Sequence, residues 1–221
     1  MSKIKAVLFD FDGTLMNTNE IILGSWHYTY DAVGVPAPED SKIAMTFGEP
    51  LFETMKKEFP DRDPQEMVDT YRNFQKNIFK DRVSMFPGTA KLVEDLKYAG
   101  YKAAIVTSRL WTSTTPAVYD FPIADRFDAL ISAVDTTVHK PDPTCLLLAC
   151  EKLGITPDEG IYIGDSRFDI HCAYNAGMKS VLVDWTICMP EEMRVGIHKP
   201  DYVIKKPEQL FDILSELNKG E

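Results

Sequence analysis

The sequence predicts an α/β fold: a three-layer, Rossmann-like core around a parallel sheet, with an inserted all-helical cap domain. Three observations carry that expectation. Short apolar runs of strand length alternate with amphipathic segments, the pattern of βαβ units. Polar clusters recur at the ends of those runs, where ligands bind in open parallel sheets. Residues 16–83 carry helical signals only, and the strands resume beyond them.

The first strand, residues 6–9, is an apolar run that stops abruptly at Asp10-Phe11-Asp12-Gly13-Thr14. Such a run, closed by acid and glycine, reads as a buried strand delivering side chains at its C-terminal edge. In extended chain, residues two apart point the same way, so Asp10 and Asp12 address one small volume. Gly13 allows a turn and close approach to a ligand, and Thr14 offers a hydroxyl. Two carboxylates so close repel, and a hard divalent cation such as Mg²⁺ offsets them. An Asp-Gly turn between strands is the bland alternative for the motif taken alone.

Next come the helical segments of the insert. Residues 19–33 place Ile22, Trp26, Thr29 and Val33 on one stripe, with Gly34 as the stop. A short segment at 39–45 leads to Thr46-Phe47-Gly48-Glu49-Pro50, a loop able to dip into a site and sort substrates. Helices are expected over 50–59 and 64–80, the second with Met67, Val68, Tyr71, Phe74 and Ile78 at amphipathic spacing. Residues 1–15 and 84–221 thus form the core and 16–83 the cap, with hinges near 15–19 and 81–88. Asn17 and Glu20 lie at the first hinge and are substrate-binding candidates.

The core then proceeds in order. A helix begins at Gly88-Thr89 and ends at Gly100. The second strand spans 102–107 and closes on Thr107-Ser108, and a weakly patterned helix with Pro116 follows. The third strand covers 129–133. His139-Lys140-Pro141-Asp142-Pro143 precedes a helix over 144–153, stopped by Gly154. The fourth strand, 160–164, ends in Asp165-Ser166-Arg167-Phe168-Asp169. A helix to 175, a strand at 180–183, a sixth strand at 202–204 and a helix over 207–217 complete the chain.

Bulk properties narrow the function. At 221 residues the chain can bury one core plus a small accessory unit. A net charge of −10 argues against nucleic acid or an anionic membrane surface as partner. No apolar run is long enough to span a bilayer, and no signal-peptide pattern opens the chain. Cys145, Cys150, Cys172 and Cys188 show no C-x-x-C spacing and read as reduced, mostly buried thiols of a cytoplasmic protein.

Together the polar clusters form a set suited to phosphoryl transfer. Asp165 and Asp169, four apart at a strand-to-helix junction, can face one cavity and, with Asp10, hold one Mg²⁺. Lys140 is a point charge for a phosphate oxygen and a carboxylate. Thr107 and Ser108 donate to the remaining phosphoryl oxygens, as do backbone amides around 11–13. Charge stabilisation supplies most of the catalysis in such a site. A carboxylate can attack phosphorus, with Asp12 protonating the leaving oxygen and later deprotonating water.

Asp10-Phe-Asp-Gly-Thr14, Val-Thr107-Ser108, His-Lys140-Pro-Asp-Pro and Gly-Asp165-Ser-Arg-Phe-Asp169 resemble, in order and rough spacing, the four motifs of the haloacid dehalogenase superfamily. The resemblance implies Asp10 as nucleophile, Asp12 as acid/base, and Thr107 and Lys140 as phosphate binders. It implies Asp165 as a metal ligand, Asp169 as a ligand through water or a partner of Lys140, and Asp12 as a ligand through its backbone carbonyl. Within the superfamily, the stretch from His139 to Ile155 is similar to phosphoglycolate phosphatases. The segments 16–20 and 184–187 are similar to a bacterial pyrophosphatase subgroup. A small phosphorylated metabolite is the partner this implies, for a monomer or dimer. A sugar phosphomutase of the β-phosphoglucomutase kind, using the same aspartyl-phosphate, is the alternative. Arg167 is expected at the surface or facing the cap, His27 and His171 in packing or at the surface, and His139 beside its lysine loop.

Overall fold

The computed structural model describes residues 3–110, 123–196 and 199–219. At its centre six parallel strands lie in the order β5-β4-β1-β6-β7-β8. They are β1 (Ala6–Phe9), β4 (Lys102–Val106), β5 (Ala129–Ile131), β6 (Gly160–Gly164), β7 (Lys179–Val183) and β8 (Tyr202–Ile204). The chain runs outward from β1 through β4 to β5, then returns to β6 on the other side of β1. That reversal opens a crevice at the carboxyl ends of β1, β4 and β6. Phe9 pairs with Ile105 on one side and Ile163 on the other. Asp10, Thr107 and Asp165 therefore leave the sheet at nearly one level.

Alternation along β1 explains the three layers. Val7 and Phe9 pack on one face with Leu92, Val93 and Leu96 of α5 (Thr89–Tyr98) and with Leu210 and Leu214 at the chain's last helix. Ala6 and Leu8 pack on the other with Leu146, Ala149 and Leu153 of the helix Thr144–Leu153 and with Cys172 and Ala173 of Arg167–Ala176. Both faces of β1 are sealed, so every residue of it is buried. Truncating Leu8 to Ala would cost about 2–5 kcal/mol.

Four helices follow β1: α1 (Asn19–Ala32), α2 (Asp40–Ala44), α3 (Leu51–Glu58) and α4 (Pro64–Arg82). They bury Trp26, Tyr30, Ile43, Met55, Phe59, Met67 and Tyr71 in a core of their own, which Cys188 of the sheet domain joins. Asp63 caps α4 by accepting from the Gln65 amide at 2.9 Å, and Pro64 sits at the first helical position, where its missing N–H costs nothing.

The structure departs from expectation at several boundaries. The insert is not helical throughout: Met16–Asn17 (β2) pairs antiparallel with Ser84–Met85 (β3), and Met16 is buried in the sheet-domain core. Two-residue strands have no periodicity to read. Helix α4 runs to Arg82, two residues beyond the predicted end. Strand β5 stops at Ile131 because the Asp135 carboxylate accepts from the Ser132 amide at 2.7 Å and turns the chain. The last predicted helix divides into a 3₁₀ turn, Pro207–Gln209, and the helix Leu210–Asn218. The helix expected around Pro116 lies outside the described residues. Among the described residues no helix is long and apolar enough to cross a membrane.

Candidate active site

Asp10 sits one residue beyond β1, its amide donating to the Ile163 carbonyl at 2.8 Å, which pins it over the crevice. Lys140 reaches the same point from the loop before Thr144–Leu153. Its ammonium donates to Asp10 Oδ1 at 2.7 Å, Asp169 Oδ1 at 2.8 Å and the Val106 carbonyl at 2.9 Å. The Tyr162 ring lies 5.2 Å below it. Three donors meet three acceptors, so this lysine is fixed rather than solvated.

Asp169 is held on both oxygens. Oδ1 accepts from Lys140 and from the Tyr162 hydroxyl at 3.0 Å, and Oδ2 from the Ser166 amide and hydroxyl at 3.1 and 2.6 Å. Ser166 in turn caps the helix Arg167–Ala176, so one capping box fixes both the helix and the carboxylate. Asp165 faces Asp10 from the end of β6. Cys188 donates to its Oδ2 at 3.1 Å, and Thr186 to its backbone carbonyl at 2.6 Å.

Asp10, Asp165 and Asp169 each present an oxygen within 4.8 Å of the others. Three buried carboxylates against one lysine leave an excess of two negative charges. Burial first, then the neighbouring carboxylates, raises Asp10 to about 8 even with Lys140 pulling it down. Burial likewise raises Asp165 well above its ordinary value, with Asp169 and Asp10 adding to the shift. Asp169 goes the other way: burial raises it, but the charge and hydrogen bond of Lys140 and the Ser166 bonds bring it below the usual carboxylate range. Burial pulls Lys140 down, and Asp10 and Asp169 more than offset this, so it stays protonated. A set of hard oxygen donors with uncompensated charge fits a divalent cation. Asp10 and Asp165 have room to bind one directly, whereas the oxygens of Asp169 are already taken.

Thr107 is buried at the end of β4; its hydroxyl accepts from the Arg109 amide at 3.1 Å, which leaves its proton to donate. Ser108 lines the cavity beside it. Asp12 also faces the cavity and is partly exposed. The cavity measures about 700 Å³ and lies between the crevice and the helical insert, walled by Trp26, Phe47, Leu51, Tyr71 and Phe79 from the insert. The loop before α3 reaches the sheet domain. Glu49 there pairs with Arg167 at 3.1 Å, and a Cβ on Gly48 would come within 3.0 Å of Phe168 and Ser166. Arg167 thus faces the insert.

Some of the sequence candidates land elsewhere or contribute otherwise than expected. Glu20 is exposed in the first turn of α1 and is not among the residues that line the cavity. Gly13 does not offer its amide to a ligand, because that N–H donates to the Met16 carbonyl at 2.8 Å. Its contribution is space: at φ +75° a Cβ there would stand 2.1 Å from Asp165 Oδ2. Thr14 is buried under β1, away from this cavity.

Four contributors escaped the sequence reading. Arg109 Nη1 reaches both oxygens of Asp12 at 3.3 Å from the bend that follows β4. Tyr162 looks from sequence like any strand aromatic. Cys188 and Thr186, which hold Asp165, lie in the loop after β7, where the likeness at 184–187 gave no sign of that contact. His139 only shapes the turn, its carbonyl accepting from the Asp142 amide at 3.0 Å, and His27 pairs with Asp40 at the surface.

The sequence profile of the haloacid dehalogenase-like hydrolases matches residues 7–183. A Clostridium perfringens protein provisionally named pyrophosphatase PpaX is 36% identical over 215 residues, covering 97% of this chain and 99% of that one. Pyrophosphatase PpaX of Bacillus cereus is 31% identical over 218 residues, covering 99% and 100%. A crystal structure from Lactobacillus plantarum, provisionally described as a phosphoglycolate phosphatase, superposes with a TM-score of 0.85 at 25% identity, covering 96% of this chain and all of that one.

Proposed function

This chain belongs to the haloacid dehalogenase-like hydrolase family, and we propose that it is a Mg²⁺-dependent phosphohydrolase of small phosphate compounds, pyrophosphate or a phosphoglycolate-like ester, working through an aspartyl-phosphate on Asp10. The observation that carries this reading is the bridge from Asp10 through Lys140 to Asp169, with Thr107 and Asp12 at the same crevice. The names of the relatives support pyrophosphate; the likeness to the Lactobacillus plantarum structure supports a phosphoglycolate-like ester.

Asp10 and Asp165 would hold the Mg²⁺, with the Asp12 carbonyl; Asp169 joins through water or serves only Lys140. When bound, the ion neutralises charge between the nucleophile and the phosphoryl group. Thr107 and Ser108 bind the phosphoryl oxygens, and Lys140, held on Asp10 and Asp169, adds its positive charge beside them. The Asp10 oxygen not occupied by Lys140 attacks phosphorus, and the bond from phosphorus to the leaving oxygen breaks. Asp12 gives that oxygen a proton, then takes one from the water that attacks the acyl phosphate. Phosphate leaves and Asp10 is restored. Residues 16–83 act as the cap that excludes bulk water. The acidic surface and four free thiols favour a cytoplasmic protein acting on metabolites, as monomer or dimer.

A phosphate-release screen with and without Mg²⁺ tests this on pyrophosphate, phosphoglycolate and sugar phosphates. Metal-dependent release from pyrophosphate or phosphoglycolate is expected. Release from none of them would overturn it. So would isomerisation of β-glucose 1-phosphate with a bisphosphate primer and no release, the outcome a phosphomutase gives.

A further inference from the structure

We propose that Arg109 is a specificity residue that reads a second anionic group, a carboxylate or a phosphate, on the leaving side of the substrate. The inference rests on the phosphohydrolase reading for the identity of that side, and on the following geometry for the rest. The Arg109 side chain is only 7% exposed yet lines the cavity. Its guanidinium lies 4.5 Å over the Phe79 ring of α4, so the insert and the sheet domain both hold it. A buried guanidinium would ordinarily have its donors satisfied. This one is under-used. Its contact with Asp12 is a single Nη1 shared between two oxygens at 3.3 Å, long for a charge-assisted bond. Its Nε is buried and finds no partner among the described residues.

The placement says what the missing partner is. Asp12 stands beside the leaving oxygen, so a group bonded next to that oxygen comes within reach of the guanidinium. Lys140 is committed to Asp10 and Asp169 at the phosphoryl end and cannot also serve the leaving end. Arg72 and Lys76 of α4 line the same cavity and give that end further positive charge. A planar fork of donors suits a carboxylate or phosphate and gives nothing to an uncharged aryl or alkyl leaving group.

The experiment uses the full chain with Mg²⁺ and compares wild type, Arg109→Gln and Arg109→Lys. Substrates are pyrophosphate and phosphoglycolate, which carry a second anion as phosphate and as carboxylate, and p-nitrophenyl phosphate, which carries none. Arg109→Gln should lose roughly 10- to 100-fold more kcat/KM on the two-anion substrates than on the aryl ester. The extra loss should fall mainly in KM, and Arg109→Lys should restore much of it. A loss confined to one two-anion substrate identifies which anion is read. An equal factor on all three substrates overturns the proposal and makes Arg109 a mere prop for Asp12. No loss on any overturns it as well. If wild type hydrolyses none of them, the phosphohydrolase reading has failed, and calorimetric binding decides the Arg109 question separately. Methylenediphosphonate should then bind wild type at least tenfold more tightly, relative to methylphosphonate, than it binds Arg109→Gln (about one charge-assisted contact). An unchanged ratio sinks the assignment.

Discussion

Lys140 Nζ and Asp10 Oδ1 lie 2.7 Å apart although 130 positions separate them in the chain. Both are buried, and removing Lys140 leaves the carboxylates of Asp10 and Asp169 without their shared cation. Lys140→Met should therefore lower phosphate release by roughly 10²–10³-fold. It should also lower the melting temperature measured in chelator, and Mg²⁺ should restore part of that loss. An active Lys140→Met protein would disprove the role given to this lysine.

Asp10→Asn removes the nucleophile while keeping its shape. Turnover should fall at least about 10³-fold, since the covalent route is lost. Wild-type protein quenched in acid during turnover should carry one extra phosphoryl group by mass spectrometry, localised to the peptide containing Asp10. Phosphorylation of any other residue contradicts the mechanism.

The raised Asp10 and Asp165 give a pH dependence with a definite sign. A carboxyl whose folded value exceeds its unfolded one stabilises the fold while protonated. That contribution is complete below the ordinary value of 3.8 and is lost as pH rises toward about 8 for Asp10. Asp165 shifts in the same direction. Mg²⁺ binds the ionised forms, so the gain in melting temperature from Mg²⁺ over chelator should grow from about pH 5.5 to about pH 8. A gain that is flat or falls over this range would contradict the charge balance described.

Gly13→Ala tests the close approach under Asp165. The added Cβ would meet Oδ2 at 2.1 Å on a backbone at φ +75°, so Asp165 must move. Mg²⁺ affinity should drop about tenfold or more, with kcat falling in parallel. Unaltered metal affinity by calorimetry would show that Asp165 is not a ligand.

Glu49 and Arg167 join the insert to the sheet domain at 3.1 Å, with Arg167 substantially exposed. A pair of this kind contributes at most about 1 kcal/mol to stability. Glu49→Gln should leave the melting temperature nearly unaltered and raise KM a few-fold, because the pair favours the closed arrangement. A large drop in melting temperature with KM constant would mean that the contact is purely structural.

The core was legible because parallel strands sealed on both faces read as unbroken apolar runs. Thr144–Leu153 and Gly160–Gly164 emerge with the expected bounds, the former set by Pro143 and Gly154. Asp10, Asp12, Thr107, Ser108, Lys140, Asp165 and Asp169 meet at one cavity because each lies just past a strand, in the first turn of a helix or in the loop leading to one. Glu20 misled because helix rotation, which sequence near a hinge does not specify, turns it outward. Gly13 makes the expected turn, at φ +75°, but the group closely approaching it is the Asp165 carboxylate. Arg109 went unread because the direction of a side chain just past a strand depends on a loop with no periodicity. The β2–β3 pairing was invisible because two residues make no pattern.

That small antiparallel pairing has a topological consequence. The chain leaves for α1 and returns from α4 through neighbouring, mutually hydrogen-bonded residues, Asn17 opposite Ser84. The entire 18–83 loop is thus a closed excursion whose ends are already joined. Such an excursion can be lengthened, shortened or exchanged for an unrelated one while Asp10, Lys140 and Asp165 stay where the sheet puts them. New leaving groups can be accommodated without rebuilding the chemistry.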